Sequence, residues 1–218
     1  MKAKFSAFNE AFPYYGGLMV MTIVFLIVAQ FYPLAYTIAV VFIIFKLYTL
    51  YFFRDPKRTI TTDASAIVSP ADGTIVAIED FTDSPHYEGP CKRVSIFLSI
   101  FNVHINRSPF EGTVESITYK PGQFLDARKS DTSELNEANT IRMTTPKGPM
   151  TVRQISGLIA RRIICKVEVG ETLAKGEKFG MIKFGSRTEL YLPVDAQICV
   201  TLKDKVQGGA TIVARFPD

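Results

Sequence analysis

The 218-residue chain has no tryptophan, only two histidines and only three cysteines. Cys91, Cys165 and Cys199 are odd in number and widely spaced, which fits neither a disulfide framework nor a CxxC metal or redox pair. They read as reduced thiols in a cytosol-facing domain, and no metal site is expected. A large excess of one charge is also missing, with 25 Lys+Arg against 21 Asp+Glu. Without a Lys/Arg-rich run or zinc-finger spacing, that balance does not point to nucleic acid. The small basic excess suits contact with an anionic lipid surface.

Charge is absent altogether from Ala11 to Phe45, and after Lys46 the next charged residue is Arg54. One helix through this run would exceed a bilayer, which needs about 20 residues per span. Pro33 divides it into Tyr14–Tyr32 and Leu34–Phe53, each about one membrane thickness at ~1.5 Å per residue. Aromatic residues gather at the ends of these halves, where amphipathic rings favour the headgroup zone. A secretory signal peptide does not fit, because a second apolar run follows the first at once. Lys2 and Lys4 precede the hairpin, Arg54, Lys57 and Arg58 follow it, and the turn at Gln30–Pro33 is uncharged. The positive-inside bias therefore places both ends and the downstream domain on the cytoplasmic side of the cell membrane. A shallow interfacial hairpin that never crosses remains the alternative. The expected division is a membrane hairpin and linker over 1–58 and a second domain over 59–218.

Beyond Arg58 the sequence alternates apolar and polar residues between close-set turn signals. Gly73–Glu79, Arg93–Leu98, Gly112–Thr118, Met150–Ile155, Glu189–Leu192 and Gln197–Leu202 read as short strands. Pro70, Asp72-Gly73, Pro121-Gly122 and Gly208-Gly209 are among the turns between them. The fold class expected is a mainly β domain, barrel or sandwich with short helices, behind an N-terminal helical hairpin. Lys120–Asn139 is long for a connection, and is either a functional loop or holds a short helix.

Three segments carry possible chemistry. Gly185-Ser186, within Phe184–Arg187, is most simply an ordinary turn. A glycine before a serine also leaves the peptide carbonyl unshielded and lets the hydroxyl attack it, given a base and a distorted peptide. Ser69–Gly73 is a turn opening a strand, or a rigid mount for the Asp72 carboxylate. His104, in Phe101–Asn106, is a satisfied structural histidine or the proton-transfer imidazole; His86 lies in a polar stretch and reads as a loop residue.

Together, the Arg54-Asp-Pro that follows an apolar hairpin, Ser69–Gly73, Phe101–Asn106 and Phe184–Pro193 resemble, in order and spacing, the short prokaryotic branch of the phosphatidylserine decarboxylases. The likeness covers essentially the whole chain. It departs from longer relatives, which carry a His-x-x-His pair where Phe101 precedes His104, and Leu-Gly-Ser-Thr where this chain has Phe-Gly-Ser-Arg. The resemblance implies self-cleavage at Gly185–Ser186 into chains 1–185 and 186–218, with Asp72 and His104 as partners of Ser186. It implies a covalent pyruvoyl cofactor made from Ser186, and phosphatidylserine in membrane lipid as the substrate decarboxylated to phosphatidylethanolamine. An ether-linked serine lipid of archaeal type is an alternative substrate, and a monomer or a homodimer is an open choice. A reading from another class is a non-catalytic carrier domain, since Val167–Ile182 resembles the edge pattern of biotinyl/lipoyl domains.

Overall fold

The computed structural model describes residues 5–129, 132–158, 162–183 and 185–217. Lys2, Lys4 and Phe184, used in the sequence reading, lie outside the described residues. The chain divides into two compact units, one of Ser6–Pro56 and one holding Lys57–Asp218.

The first unit is a helical hairpin of α1 (Ala7–Val28) and α2 (Ala35–Phe52). Both helices are long and apolar enough to cross a membrane. α1 begins seven residues ahead of the expected span and runs through Pro13 and Gly16-Gly17. The turn falls at residues 29–34 around Pro33, as its missing N–H requires. Phe25 and Phe42 stack at 5.5 Å between the helices, and Tyr14 meets Phe53 at 5.8 Å near the open end. Most other large apolar side chains of the hairpin are exposed.

The second unit is mainly β. Its strands are β1 (Ala66–Val68), β2 (Gly73–Phe81), β3 (Cys91–Leu98), β4 (Ile105–Arg107), β5 (Gly112–Lys120), β6 (Ala138–Thr145) and β7 (Gly148–Ile155). They continue as β8 (Arg162–Cys165), β9 (Thr172–Leu173), β10 (Lys178–Lys183), β11 (Ser186–Pro193), β12 (Gln197–Ile198), β13 (Lys205–Val206) and β14 (Ile212–Arg215). An eight-stranded antiparallel sheet runs β13-β2-β3-β11-β7-β6-β5-β9, beside the three-stranded sheets β4-β10-β8 and β1-β14-β12. The period-2 pattern turns Val94, Ile96, Leu98, Val152, Leu190 and Leu192 into one shared core with Ile67, Phe110, Phe179 and Val213.

The expected strand Gln197–Leu202 is cut short at Ile198. The chain turns soon after, where the Asp204 N–H bonds the Thr201 carbonyl and Lys203 takes a left-handed φ of 74°. The long segment after Lys120 carries a four-residue helix, α3 (Thr132–Leu135). Asn136 ties the segment down, its side-chain amide bonding the carbonyls of Leu125 and Ser156 at 2.9 and 2.8 Å.

Candidate active site

β11 is the central strand on which the site is built. Its alternation puts Ser186, Thr188, Leu190 and Leu192 on one face and Arg187, Glu189 and Tyr191 on the other. Ser186 opens the strand and pairs with Leu98 of β3, while the ladder to β7 begins one residue later, at Arg187↔Ile155. Ser186 is fully buried, and its Oγ has no hydrogen-bond partner among the described residues. Leaving a buried hydroxyl unsatisfied costs about 1–3 kcal/mol, so the position asks for a chemical reason.

Gly185, immediately before it, holds φ at +67°, a left-handed conformation that other residues rarely adopt. Its N–H donates to His104 Nε2 at 3.2 Å. His104 is fully buried, and its Nδ1 lies 2.9 Å from the Asn102 carbonyl. A carbonyl can only accept, so Nδ1 carries the proton and Nε2 presents its lone pair to the Gly185 N–H, one residue ahead of Ser186. Asn102 is itself fixed, its Oδ1 accepting from the Ser99 N–H and hydroxyl at 2.9 and 2.8 Å.

Asp72 sits in the Ser69–Gly73 turn, which Ser69 Oγ closes by donating to the Ala71 carbonyl at 2.7 Å. The Asp72 carboxylate accepts from the Gly208 N–H and from Arg58, each at 2.8 Å. Arg58 also donates to Gln207 Oε1 at 2.7 Å. Asp72, Asn102, Phe101 and Ser99 line one cavity of about 380 Å³. A second cavity of about 350 Å³, lined by Phe97, Ile100, Ala127, Gly157, Leu158 and Gly185, shares Ser99 with it. Arg128 borders this second cavity and holds the Asp126 carboxyl down at about 2. Among the described residues no group of three metal-ligating side chains is found.

The opposite face of β11 carries a buried ion cluster. Glu189 is fully buried and faces Arg153 Nη1 at 3.0 Å, Arg187 Nε at 3.0 Å and Arg93 Nη1 at 3.6 Å. Ser133 Oγ and Tyr191 Oη donate to it, each at 3.0 Å. Burial alone would raise the Glu189 carboxyl, but the three guanidiniums and the Ser133 hydroxyl outweigh it and hold the group below its ordinary value. Arg187 donates to Ser95 Oγ at 2.7 Å, so the residue after Ser186 is locked into the sheet. Burial lowers His86, which pairs with Glu134 at 2.8 Å beside this cluster.

The structure therefore sets His104 and Gly185 in direct contact next to Ser186, and places Asp72 on a cavity that the Asn102 loop also lines. Sequence reasoning missed Asn102 and Arg58. Asn102 stands in the quoted Phe101–Asn106 segment, and an Asn two residues before a candidate base is a recognisable loop-fixing signal. Arg58 reads in sequence only as a charge flanking an apolar run.

Comparison with known proteins follows the same line. The family model described as phosphatidylserine decarboxylase matches residues 45–214. The chain is similar to a phosphatidylserine decarboxylase proenzyme of Carboxydothermus hydrogenoformans, at 43% identity over 99% of each chain. It is 44% identical to the proenzyme of that name from Ralstonia nicotianae, over 95% of this chain and 94% of the relative. The Neisseria meningitidis proenzyme is 40% identical over 96% of this chain and 77% of its own length.

Proposed function

The chain belongs to the phosphatidylserine decarboxylase family, and we propose from this premise that it is a self-processing enzyme that decarboxylates phosphatidylserine to phosphatidylethanolamine. The observation that carries the reading is the buried, unpartnered Oγ of Ser186 behind a left-handed Gly185 whose N–H meets His104 Nε2.

In the proposed processing, the Gly185 N–H releases His104 Nε2, which then takes the Ser186 hydroxyl proton while the Asn102 carbonyl holds the other ring nitrogen protonated. Ser186 Oγ then attacks the Gly185 carbonyl carbon and the C–N bond breaks, turning the amide into an ester. Loss of the α-proton of residue 186 expels the Gly185 carboxylate and leaves a dehydroalanine, which takes up water and releases ammonia. The chain would then be two pieces, 1–185 and 186–218, the second capped by a pyruvoyl ketone in place of Ser186. Asp72 supports the imidazolium that forms, a role favoured by the cavity it shares with the Asn102 loop.

The pocket left at residue 186 fits such a cap. Ser186 is buried beside an apolar cavity, and a ketone needs fewer hydrogen bonds there than the hydroxyl that now has none. Bound there, a pyruvoyl group supplies the electron sink for decarboxylation of an amino acid headgroup. The protein's part is to exclude water with Phe97, Ile100 and Leu158 and to return a proton from His104. The hairpin would hold the enzyme in the membrane with the β unit on the cytoplasmic side, as the uncharged turn at Pro33 and the basic Arg54, Lys57 and Arg58 suggest. The carrier reading finds no support: Lys175, in the turn between β9 and β10, donates to the Asp63 carbonyl at 2.6 Å and lies over the Phe110 ring.

Intact mass of the purified protein tests the proposal. Two chains are expected, with 186–218 lacking an α-amine and modified by hydroxylamine together with loss of activity. Ser186→Ala should remain one inactive chain. A wild-type preparation that stays intact and still decarboxylates phosphatidylserine refutes the reading.

A further inference from the structure

Gly157 follows β7 and lines the cavity that contains Gly185. A Cβ placed on it would lie 2.5 Å from the Gly185 carbonyl oxygen, 3.3 Å from the Gly185 carbonyl carbon and 3.2 Å from Ala127 Cβ. The backbone at 157 is outside the left-handed region, so alanine is compatible with its local conformation. The bare backbone is therefore required by the close approach of one group, the carbonyl between residues 185 and 186.

The strand register gives the reason for this approach. The β11–β7 ladder ends at Arg187↔Ile155, and two further antiparallel steps on each strand set Gly185 against Gly157. At that step the two strands carry glycines, and the carbonyl can lie against the end of β7 without an intervening side chain. Its other neighbours are fixed, the Gly185 N–H by His104 and residue 186 by Leu98.

We infer that Gly157 is a positioning residue for self-cleavage: its missing side chain leaves the Gly185 carbonyl oxygen where the carbonyl carbon is open to Ser186 Oγ. This rests on the processing reaction proposed above. With alanine at 157, ordinary contact at about 3.4 Å requires the oxygen to move by about 0.9 Å. A displacement near 1 Å of a reacting group costs on the order of 100-fold in rate. Because Ala127 Cβ forms the other wall, removing it should let the new methyl lean away from the carbonyl.

The test is a time course of intact mass on full-length chain made by cell-free synthesis, for the parent, Gly157→Ala, Ala127→Gly and the double variant. Melting is compared in the uncleavable Ser186→Ala background. The expected result is cleavage slowed at least tenfold in Gly157→Ala, with the double variant faster than Gly157→Ala at similar melting temperature. Cleavage of Gly157→Ala at the parent rate or faster overturns the inference, as does a double variant that folds and cleaves no faster than Gly157→Ala. If Gly157→Ala does not fold, the double variant is compared with Ala127→Gly: slower cleavage supports the inference and equal cleavage overturns it. A parent chain that never cleaves refutes the processing reaction itself, a separate outcome visible in the first lane.

Discussion

Replacing Glu189 by Gln should weaken the β unit far more than a conservative change on a strand ordinarily does. The amide keeps the shape and can still accept from Ser133 and Tyr191, each 3.0 Å from the carboxylate. It removes the negative charge that Arg153 and Arg187, both 1% exposed, share within the buried cluster, although Arg153 keeps Glu134 at 3.3 Å. Leaving buried cations uncompensated costs about 3–5 kcal/mol, or roughly two to four decades in the unfolding constant. At about 2–4 °C per kcal/mol for a domain of this size, melting should fall by about 6–20 °C. The assay is thermal unfolding in the Ser186→Ala background, where each molecule is one chain. The acid dependence gives a second handle. The Glu189 carboxyl is held below its ordinary 4.5 when folded, so its contribution is complete above that pH and is lost as pH falls through the lower folded value. The gap between parent and Glu189→Gln should therefore close in acid. A variant that melts within 2 °C of its parent at pH 7 would refute the view that the cluster depends on this charge.

Two further outcomes follow from the site and the hairpin. His104→Ala should slow self-cleavage by about 10²–10⁴-fold in a mass time course, whereas His86→Ala, which loses the Glu134 pair and the ring contact with Tyr191, should cleave at the parent rate; equal rates for both would return His104 to a packing role. Reporter fusions at residue 32 and after residue 60 should report opposite sides of the membrane, the second cytoplasmic, and a signal outside the cytoplasm after residue 60 would contradict the anchoring scheme.

The alternation of apolar residues made β2, β3, β5, β7 and β11 legible in the sequence, because each turns one face to the core. β4 escaped, since all three of its residues, Ile105–Arg107, are buried and no alternation is left to see. β12 was read too long, as Gln197–Leu202, and β13 and β14, of two and four residues, are too short to show a period. At the site, residue types offered Ser186, His104 and Asp72 only as candidates, and the family resemblance joined them. What sequence could not supply was distance. The approach of Gly157 to Gly185 spans 28 positions and depends on β7 lying beside β11, and Arg58 reaches Asp72 only after β1 has turned the chain back.

The place of β11 between β3 and β7 decides what a backbone break ahead of Ser186 does to the molecule. The fragment 186–218 would supply a middle strand of the large sheet, an edge strand against β2, and β14 against β1. It would also keep Leu190, Leu192, Ala196, Val206, Val213, Ala214 and Phe216 in the common core. Burial of each large apolar side chain is worth about 1.5–3 kcal/mol, so dilution alone should not separate the pieces. Unfolding, in contrast, would be a one-way event. Two separated fragments must find each other to refold, and the peptide link that guided the first folding no longer exists. Such an enzyme has a single chance to fold correctly, and its working lifetime is set by how rarely the interleaved strands come apart.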